Sequence, residues 1–152
     1  MIVYRIGRAK YAYDLTGEGA RLHAGRWNHK LTPCIYTSGS RALALLEYTV
    51  NVNIDDIPRA LAFTVIEIPD DNILALAVAG LPGNWAAAPA PASARNYGTT
   101  LLKKATHAVI KIPSAVIPVE YNYLLNPQHK DSEKFKIIEV SDFIYDVRIK
   151  TV

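Results

Sequence analysis

The sequence predicts a single compact α+β domain, residues 1–152, with a mixed or antiparallel β core and a few helices. Two observations carry this reading. Strand-like runs rich in β-branched and aromatic residues lie far apart along the chain, with only two or three helical stretches between them, which argues against regular βαβ alternation. A chain of 152 residues, 50% hydrophobic and 20% charged, can bury a core of its own and has ordinary globular composition.

Ile2 to Ile6 reads as the first strand and Cys34 to Thr37 as the second, separated by a long polar, glycine-bearing loop. Ser40 to Val52 follows as a helix, with Ser40 placed to cap it and Leu43, Leu46, Glu47 and Val50 at helical spacing. Ala60 to Ile68 alternates as a strand and closes at Pro69 and the turn-prone Asp70-Asp71-Asn72. The prolines of AGLPGNWAAAPAPASA, Ala79 to Ala94, forbid a continuous helix, and too few residues flank the segment for two good cores. It is expected to be a long, self-packed loop within one domain. Ala94 to Ala105 is predicted helical despite Gly98, and Ala108 to Ile112 a strand ending at Pro113. A loop from Ser114 to Lys134 then leads to a last β region, about Phe135 to Ile149, with a bend at Asp142.

Charge and cysteine usage narrow the function classes. Seventeen Lys and Arg against fourteen Asp and Glu leave net +3, which favours anionic ligands slightly but falls short of the basic stripe of a dedicated DNA binder. The single cysteine, Cys34, excludes an internal disulfide and a multi-cysteine metal site and points to a reducing compartment. No apolar run approaches the ~20 residues of a membrane span, and MIVYRIGRAK lacks the pattern of a leader. The expectation is a soluble, cytoplasmic chain.

Glu47 is the most informative residue, because it shares the apolar face of its helix with Leu43, Leu46 and Val50. An unpaired carboxylate there is costly, so it needs a cationic or hydrogen-bonding partner, as a structural ion pair or as part of a site. In GARLHAGRWN, Gly19 to Asn28, Arg26 sits between Gly25 and Trp27-Asn28, a setting in which donors can converge on an anion. Its guanidinium fork suits phosphate or carboxylate, and Arg21 is placed to add a second contact. Tyr36 lies in the short second strand, where its ring either stacks on a planar ligand or packs with its hydroxyl satisfied. Ser114 stands where a strand gives way to a loop, as a functional hydroxyl or a turn cap. Asn122, Asn126 and His129 lie in EYNYLLNPQHKD, whose Asn-Pro is foremost a turn signal.

Other chemistries lack support. The four histidines show no HxxxH or HxH spacing, so no metal site is predicted. The glycines make neither a P-loop nor a dinucleotide fingerprint, and no GxSxG nucleophile elbow is present.

Taken in order, Tyr4-Arg5, GARLHAGRWN, IYTSGSRALALLE from Ile35 to Glu47, IPSAVIPVEYNYLLNPQH from Ile112 to His129 and a closing β segment resemble the RES-domain family over nearly the whole chain. That family is named for its Arg, Glu and Ser and is best known as the toxin half of RES–Xre toxin–antitoxin pairs. By position, its Arg corresponds to Arg26, its Tyr to Tyr36, its Glu to Glu47 and its Ser to Ser114. Two departures stand out: the usual Gly-Gly before Arg-Trp-Asn is Ala24-Gly25, and the Pro-Asp-Phe that often follows the His is Lys130-Asp131-Ser132.

The resemblance implies a fold similar to ADP-ribosyltransferase toxins and an activity in which NAD is a substrate rather than a retained cofactor. The nicotinamide–ribose bond would be cleaved by hydrolysis or phosphorolysis, or the ADP-ribosyl group passed to a protein. Arg26, Tyr36 and Glu47 are then the expected catalytic residues. Arg21, Arg26, Tyr36, Ser114 and Asn122 are expected to bind the dinucleotide, with Arg26 on its pyrophosphate. The implied partner is an Xre-type antitoxin that blocks the site, with nucleic acid engaged only through it. Two other readings remain open: a nucleic-acid-binding module using Arg5, Arg8, Lys10, Arg21, Arg26 and Lys30 on one face, and a silent scaffold for the antitoxin.

Overall fold

The computed structural model describes residues 1–150. Its elements are β1 (Ile2–Arg8), α1 (Glu18–Leu22), β2 (Ile35–Ser38), α2 (Arg41–Asn51), β3 (Leu61–Glu67), β4 (Ile73–Ala75), α3 (Ala92–Lys104), β5 (Val109–Pro113), β6 (Tyr121–Leu125) and β7 (Lys136–Phe143), joined by loops and short 3₁₀ turns. All seven strands form one sheet in the order β4-β5-β6-β2-β1-β3-β7. The pair β4–β5 is parallel and every other pair antiparallel, which makes this the mixed α+β domain expected.

Strand alternation divides the sheet into two chemically different faces. On one, Val3, Ile35, Ile66, Val109, Tyr123 and Leu125 pack with Phe135 and Ile68 in a closed apolar core. On the other, Ile110, Ile112 and Leu124 pack under Trp27, Leu81, Trp85, Ala94 and Leu102. That second layer covers only part of its face. The register Tyr4↔Ser38, Ser38↔Asn122 and Asn122↔Ile112 sets a row across the same face, and α2 packs on its β1–β2 side. A cleft is left between α2 and the tryptophan layer.

The elements that frame this cleft follow from local chemistry. The Ser40 Oγ accepts from the Leu43 amide at 3.1 Å and caps α2, as its sequence position predicts. Within α3, a Cβ on Gly98 would lie 2.0 Å from the Trp27 carbonyl oxygen, so glycine there is a packing requirement that outweighs its helix penalty. The Thr99 hydroxyl accepts from the His29 amide at 2.9 Å, tying the same helix to the Arg26 loop. Arg5 donates to the carbonyls of Asp14 (2.7 Å) and Ala12 (2.9 Å) and fastens the start of the long loop to the sheet.

Three parts of the structure differ from the sequence expectation. The region 114–134 contains β6, which lies between β5 and β2. Its polar Asn122 breaks an otherwise apolar strand because it faces the cleft. The first long loop contains α1, and β4 follows the Asp70-Asp71-Asn72 turn; at five and three residues both are too short to carry a periodic signal. The last strand ends at Phe143 rather than Ile149, and Asp142 pairs in register with Ala62 instead of bending the chain. The register shifts once in this pairing, between Val65 and Ile66 of β3, where Ile138 of β7 is the extra, unpaired residue.

The segment 79–94 is not only self-packed as expected: Leu81 and Trp85 are buried in the second layer of the domain, with the Trp85 ring stacked 6.2 Å from that of Trp27. Among the described residues no helix is long and apolar enough to cross a membrane. Gly98→Ala is expected to destabilise the fold by about 1–3 kcal/mol, since backbone must move to admit the methyl group. Gly83→Ala, where no atom lies within 4 Å of the added carbon, should stay within about 0.5 kcal/mol of wild type. Urea unfolding of both variants checks this.

Candidate active site

The cleft encloses a cavity of ≈ 600 Å³, within the range of roughly 300–1,000 Å³ typical of small-molecule sites. The sheet supplies its floor, including Tyr4, Tyr36, Ser38 and Asn122; α2 supplies Glu47 and Tyr48; Arg26 and the segment Ala88-Pro89-Ala90 form the opposite wall. Of the residues expected to form a site, Arg26, Tyr36, Glu47 and Asn122 therefore meet in one cavity.

At the α2 end, Glu47 finds the partner its position requires. Its Oε1 accepts from the Ser114 hydroxyl at 2.7 Å and from the Asn122 amide at 2.6 Å. Asn122 is itself oriented by Ser38, whose hydroxyl donates to the Asn122 Oδ1 at 2.7 Å. Ser114 is fully buried, and its oxygen also accepts from the amides of Val116 and Ile117, each at 3.1 Å. It stands behind Glu47 rather than bordering the cavity, so its contact is with the carboxylate. Among the described residues no donor engages Oε2, which leaves that oxygen available to a ligand. Leu43 is buried beside Glu47 along the helix, whereas Val50 is 52% exposed and stands at the cleft's edge rather than in the core.

At the other end, the Arg26 Nη1 donates to the carbonyls of Trp85 (2.9 Å) and Ala87 (2.7 Å). Nε and Nη2 have no acceptor among the described residues, and they form the side fork of the guanidinium that matches two oxygens of a phosphate. Burial lowers the Arg26 pKa from its ordinary value, opposed by the Glu47 carboxylate and Tyr36. Arg21 does not join this wall. Its guanidinium pairs with Glu18 at 2.6 Å, one helical turn away on exposed α1, because that partner is local and the cavity is not within reach of its contacts.

Between the two ends, Tyr36 supports the arginine loop. Its hydroxyl donates to the Asn28 Oδ1 at 2.6 Å and accepts from the Trp27 amide at 3.0 Å. Asn28 also accepts from the Gly25 amide at 2.9 Å and donates to the carbonyls of Ala20 and Thr32. The Gly25 and Trp27 amides and the Asn28 side chain, donors that the sequence allowed to converge on an anion, are thus spent within the loop. Burial holds the Tyr36 hydroxyl well above the usual tyrosine range, so it stays a phenol that can donate. A Cβ on Gly25 would lie 2.5 Å from that hydroxyl oxygen, whereas Ala24 is exposed. The departure from Gly-Gly therefore falls at the tolerant position of the pair.

Sequence reasoning missed Tyr4, Tyr48 and His23 on the cavity wall, and Ser38 as the group that orients Asn122. For Tyr4 and Ser38 the signal was the strand period shared with Tyr36 once the β1–β2 register is known. Asn126 and His129 serve the turn that their Asn-Pro signal predicts: Asn126 bonds the Leu102 carbonyl and the Gln128 amide, and the His129 Nδ1 accepts from the Asp131 amide. Cys34 is buried, and burial pushes its thiol pKa up, away from reactivity. Among the described residues no group of three or more His, Cys, Asp or Glu could hold a metal ion.

The chain is similar to known proteins along nearly its whole length. The RES domain model matches residues 2–147. The chain is 37% identical over 152 residues to Toxin Res of Yersinia enterocolitica, covering 99% of this chain and 100% of that protein. It is 36% identical over 146 residues to the Prs ADP-ribosylating toxin of Sphingobium sp., covering 93% and 90% of the two. In fold it is similar to a chain of the M. tuberculosis MbcT-MbcA toxin-antitoxin complex, with a TM-score of 0.76 and 20% identity over 94% of this chain and 84% of that one.

If Tyr36 holds the arginine loop by its hydroxyl, Tyr36→Phe leaves the Trp27 amide without its partner and the Asn28 Oδ1 with the Gly25 amide alone. The expected loss is about 1–3 kcal/mol of stability in denaturant unfolding. A ring that served only to stack on a ligand would leave stability unchanged in that variant.

Proposed function

The chain belongs to the RES-domain family of toxins, and from that premise we propose that it consumes NAD by cleaving the bond between nicotinamide and ribose. The observation that carries this reading is Glu47: a carboxylate fixed through one oxygen by Ser114 and Asn122, with its other oxygen free, in the same cavity as the open fork of Arg26. A guanidinium and a carboxylate at opposite walls suit a ligand with a diphosphate at one end and a ribose that becomes cationic at the other.

In this mechanism Arg26 takes the diphosphate through Nε and Nη2. As the carbon–nitrogen bond breaks, its electron pair leaves with nicotinamide and positive charge develops on the ribose carbon and ring oxygen. The preorganised Glu47 carboxylate stabilises that charge, as carboxylates do in glycoside hydrolysis. An acceptor oxygen then bonds to the ribose carbon and its proton passes to solvent. Water gives ADP-ribose, and phosphate gives ADP-ribose phosphorylated at the same ribose carbon. Ser114 and Asn122 hold Glu47 in position throughout, and Tyr36 and Asn28 hold the loop that presents Arg26. In this account Ser114 acts through Glu47, and Arg21 has no contact with the ligand.

A second acceptor is favoured by the name of the Sphingobium relative, an ADP-ribosylating toxin: a protein side chain in place of water or phosphate. The bond broken and the roles of Arg26 and Glu47 are the same. An Xre-type antitoxin covering the cavity is the partner proposed for this chain, supported by the similarity in fold to a toxin solved with its antitoxin. Such a toxin meets NAD in the cytoplasm. Arg5 and Arg21 are engaged with carbonyls and Glu18 rather than displayed together, which counts against a nucleic-acid-binding face.

Incubation of the partner-free chain with NAD, with and without phosphate, should release nicotinamide, and the mass of the second product identifies the acceptor. Glu47→Gln is expected to keep the fold and the bonds at Oε1 while turnover falls roughly 10²–10³-fold, the scale of losing one preorganised electrostatic group. Arg26→Ala should weaken NAD binding as well. Intact NAD from the folded wild-type chain, or full activity of Glu47→Gln, would contradict the mechanism.

A further inference from the structure

Arg95 lies on α3, is half-buried and does not border the cavity, yet its Nη1 donates to the Ala90 carbonyl at 2.6 Å. It pairs with no carboxylate among the described residues. Ala90 ends the short wall Ala88-Pro89-Ala90, and the same strap, residues 82–91, supplies the Trp85 and Ala87 carbonyls that hold the Arg26 Nη1. Two arginines therefore hold one strap, Arg26 from the cavity wall and Arg95 from a position that does not border the cavity. The strap is also folded on itself, by bonds from the Trp85 amide to the Pro82 carbonyl and from the Ala87 amide to the Asn84 carbonyl, each 3.0 Å.

We infer that Arg95 is a positioning residue for Arg26, acting through this strap. Both protons of Nη1 are spent on the two carbonyls, so the guanidinium cannot turn its end toward the ligand. It presents the Nε–Nη2 edge, and that edge alone keeps two parallel donors for an anion. Bonds from a charged donor to a carbonyl are among the stronger ones, and two of them fix the plane of the guanidinium as well as its location. Arg95 fixes the position of those carbonyls. Releasing Ala90 lets the wall shift, Nη1 loses its seat, and the side fork is no longer aligned before the ligand arrives. Preorganised donors of this kind contribute to affinity by removing the cost of ordering them at binding.

The inference rests on Arg26 as the diphosphate-binding group, so its test uses an anion as well as NAD turnover. The probe is inorganic pyrophosphate, followed by the side-chain Nε–H resonance of Arg26, which is identified by its loss in Arg26→Lys. Arg95→Gln is expected to move this resonance toward that of a free arginine and to raise the pyrophosphate concentration needed to shift it roughly tenfold, the scale of one charge-assisted hydrogen bond. KM for NAD should rise by a similar factor with kcat kept, the pattern of lost binding rather than lost chemistry. Arg95→Lys, which still reaches a carbonyl with a charged donor, should restore both. A pyrophosphate response in Arg95→Gln equal to wild type, or no response at Arg26 in the wild type, overturns the inference. Wild-type protein that responds at Arg26 but leaves NAD intact would instead overturn the proposed reaction, with the Arg95 comparison still decided by pyrophosphate.

Discussion

The hydrogen bonds from Ser114 and Asn122 to one oxygen of Glu47 join segments 67 and 75 residues from it in sequence. They are the contact on which the rest of the site depends. A carboxylate on the inner side of α2 is tolerable only where donors meet it, and the donors come from the end of β5 and from β6. The sheet order places β6 next to β2 and β5 beyond it, on the face that α2 covers at its β1–β2 side. The topology thus places the donors, and the donors fix which oxygen of Glu47 is left for a ligand.

The opposite wall obeys the same logic with the charge reversed. A guanidinium beside a tryptophan layer needs acceptors, and a strap rich in proline and alanine offers no acidic side chains near Arg26, only backbone carbonyls. Those carbonyls satisfy Nη1 without neutralising the charge, so the positive field remains directed into the cavity. Had a carboxylate supplied the contact, the arginine would be a structural ion pair with little attraction left for an anion. Gly25 and Gly98 then make the layer possible, one by admitting the Tyr36 hydroxyl and the other by letting α3 touch the backbone of Trp27.

Much of this was legible in the sequence, for reasons specific to each residue. Glu47 announced itself because a charge at an apolar helical position is a local contradiction, readable without any partner in view. Arg26 was legible from its glycine-rich surroundings, and the segment 79–94 from its prolines. Asn122 was legible only as part of a polar loop, because a strand that carries an inward-facing amide loses the apolar run by which strands are recognised. Ser114 reads from its strand-to-loop position as a ligand contact, whereas its hydroxyl bonds Glu47, which only the pairing of distant strands reveals. Arg21 looked like a second anion contact since nothing in its spacing distinguishes a helper from a residue that pairs with Glu18 one turn away.

The proposed reaction requires a single ligand that spans the cavity from Arg26 to Glu47. A crystal structure of Glu47→Gln soaked with NAD tests this, because the substitution preserves the shape of the site and slows loss of the ligand. The diphosphate is expected on the Nε–Nη2 fork of Arg26 and the nicotinamide ribose within hydrogen-bonding distance of residue 47. A dinucleotide bound with its diphosphate elsewhere, or with its ribose away from residue 47, would contradict it.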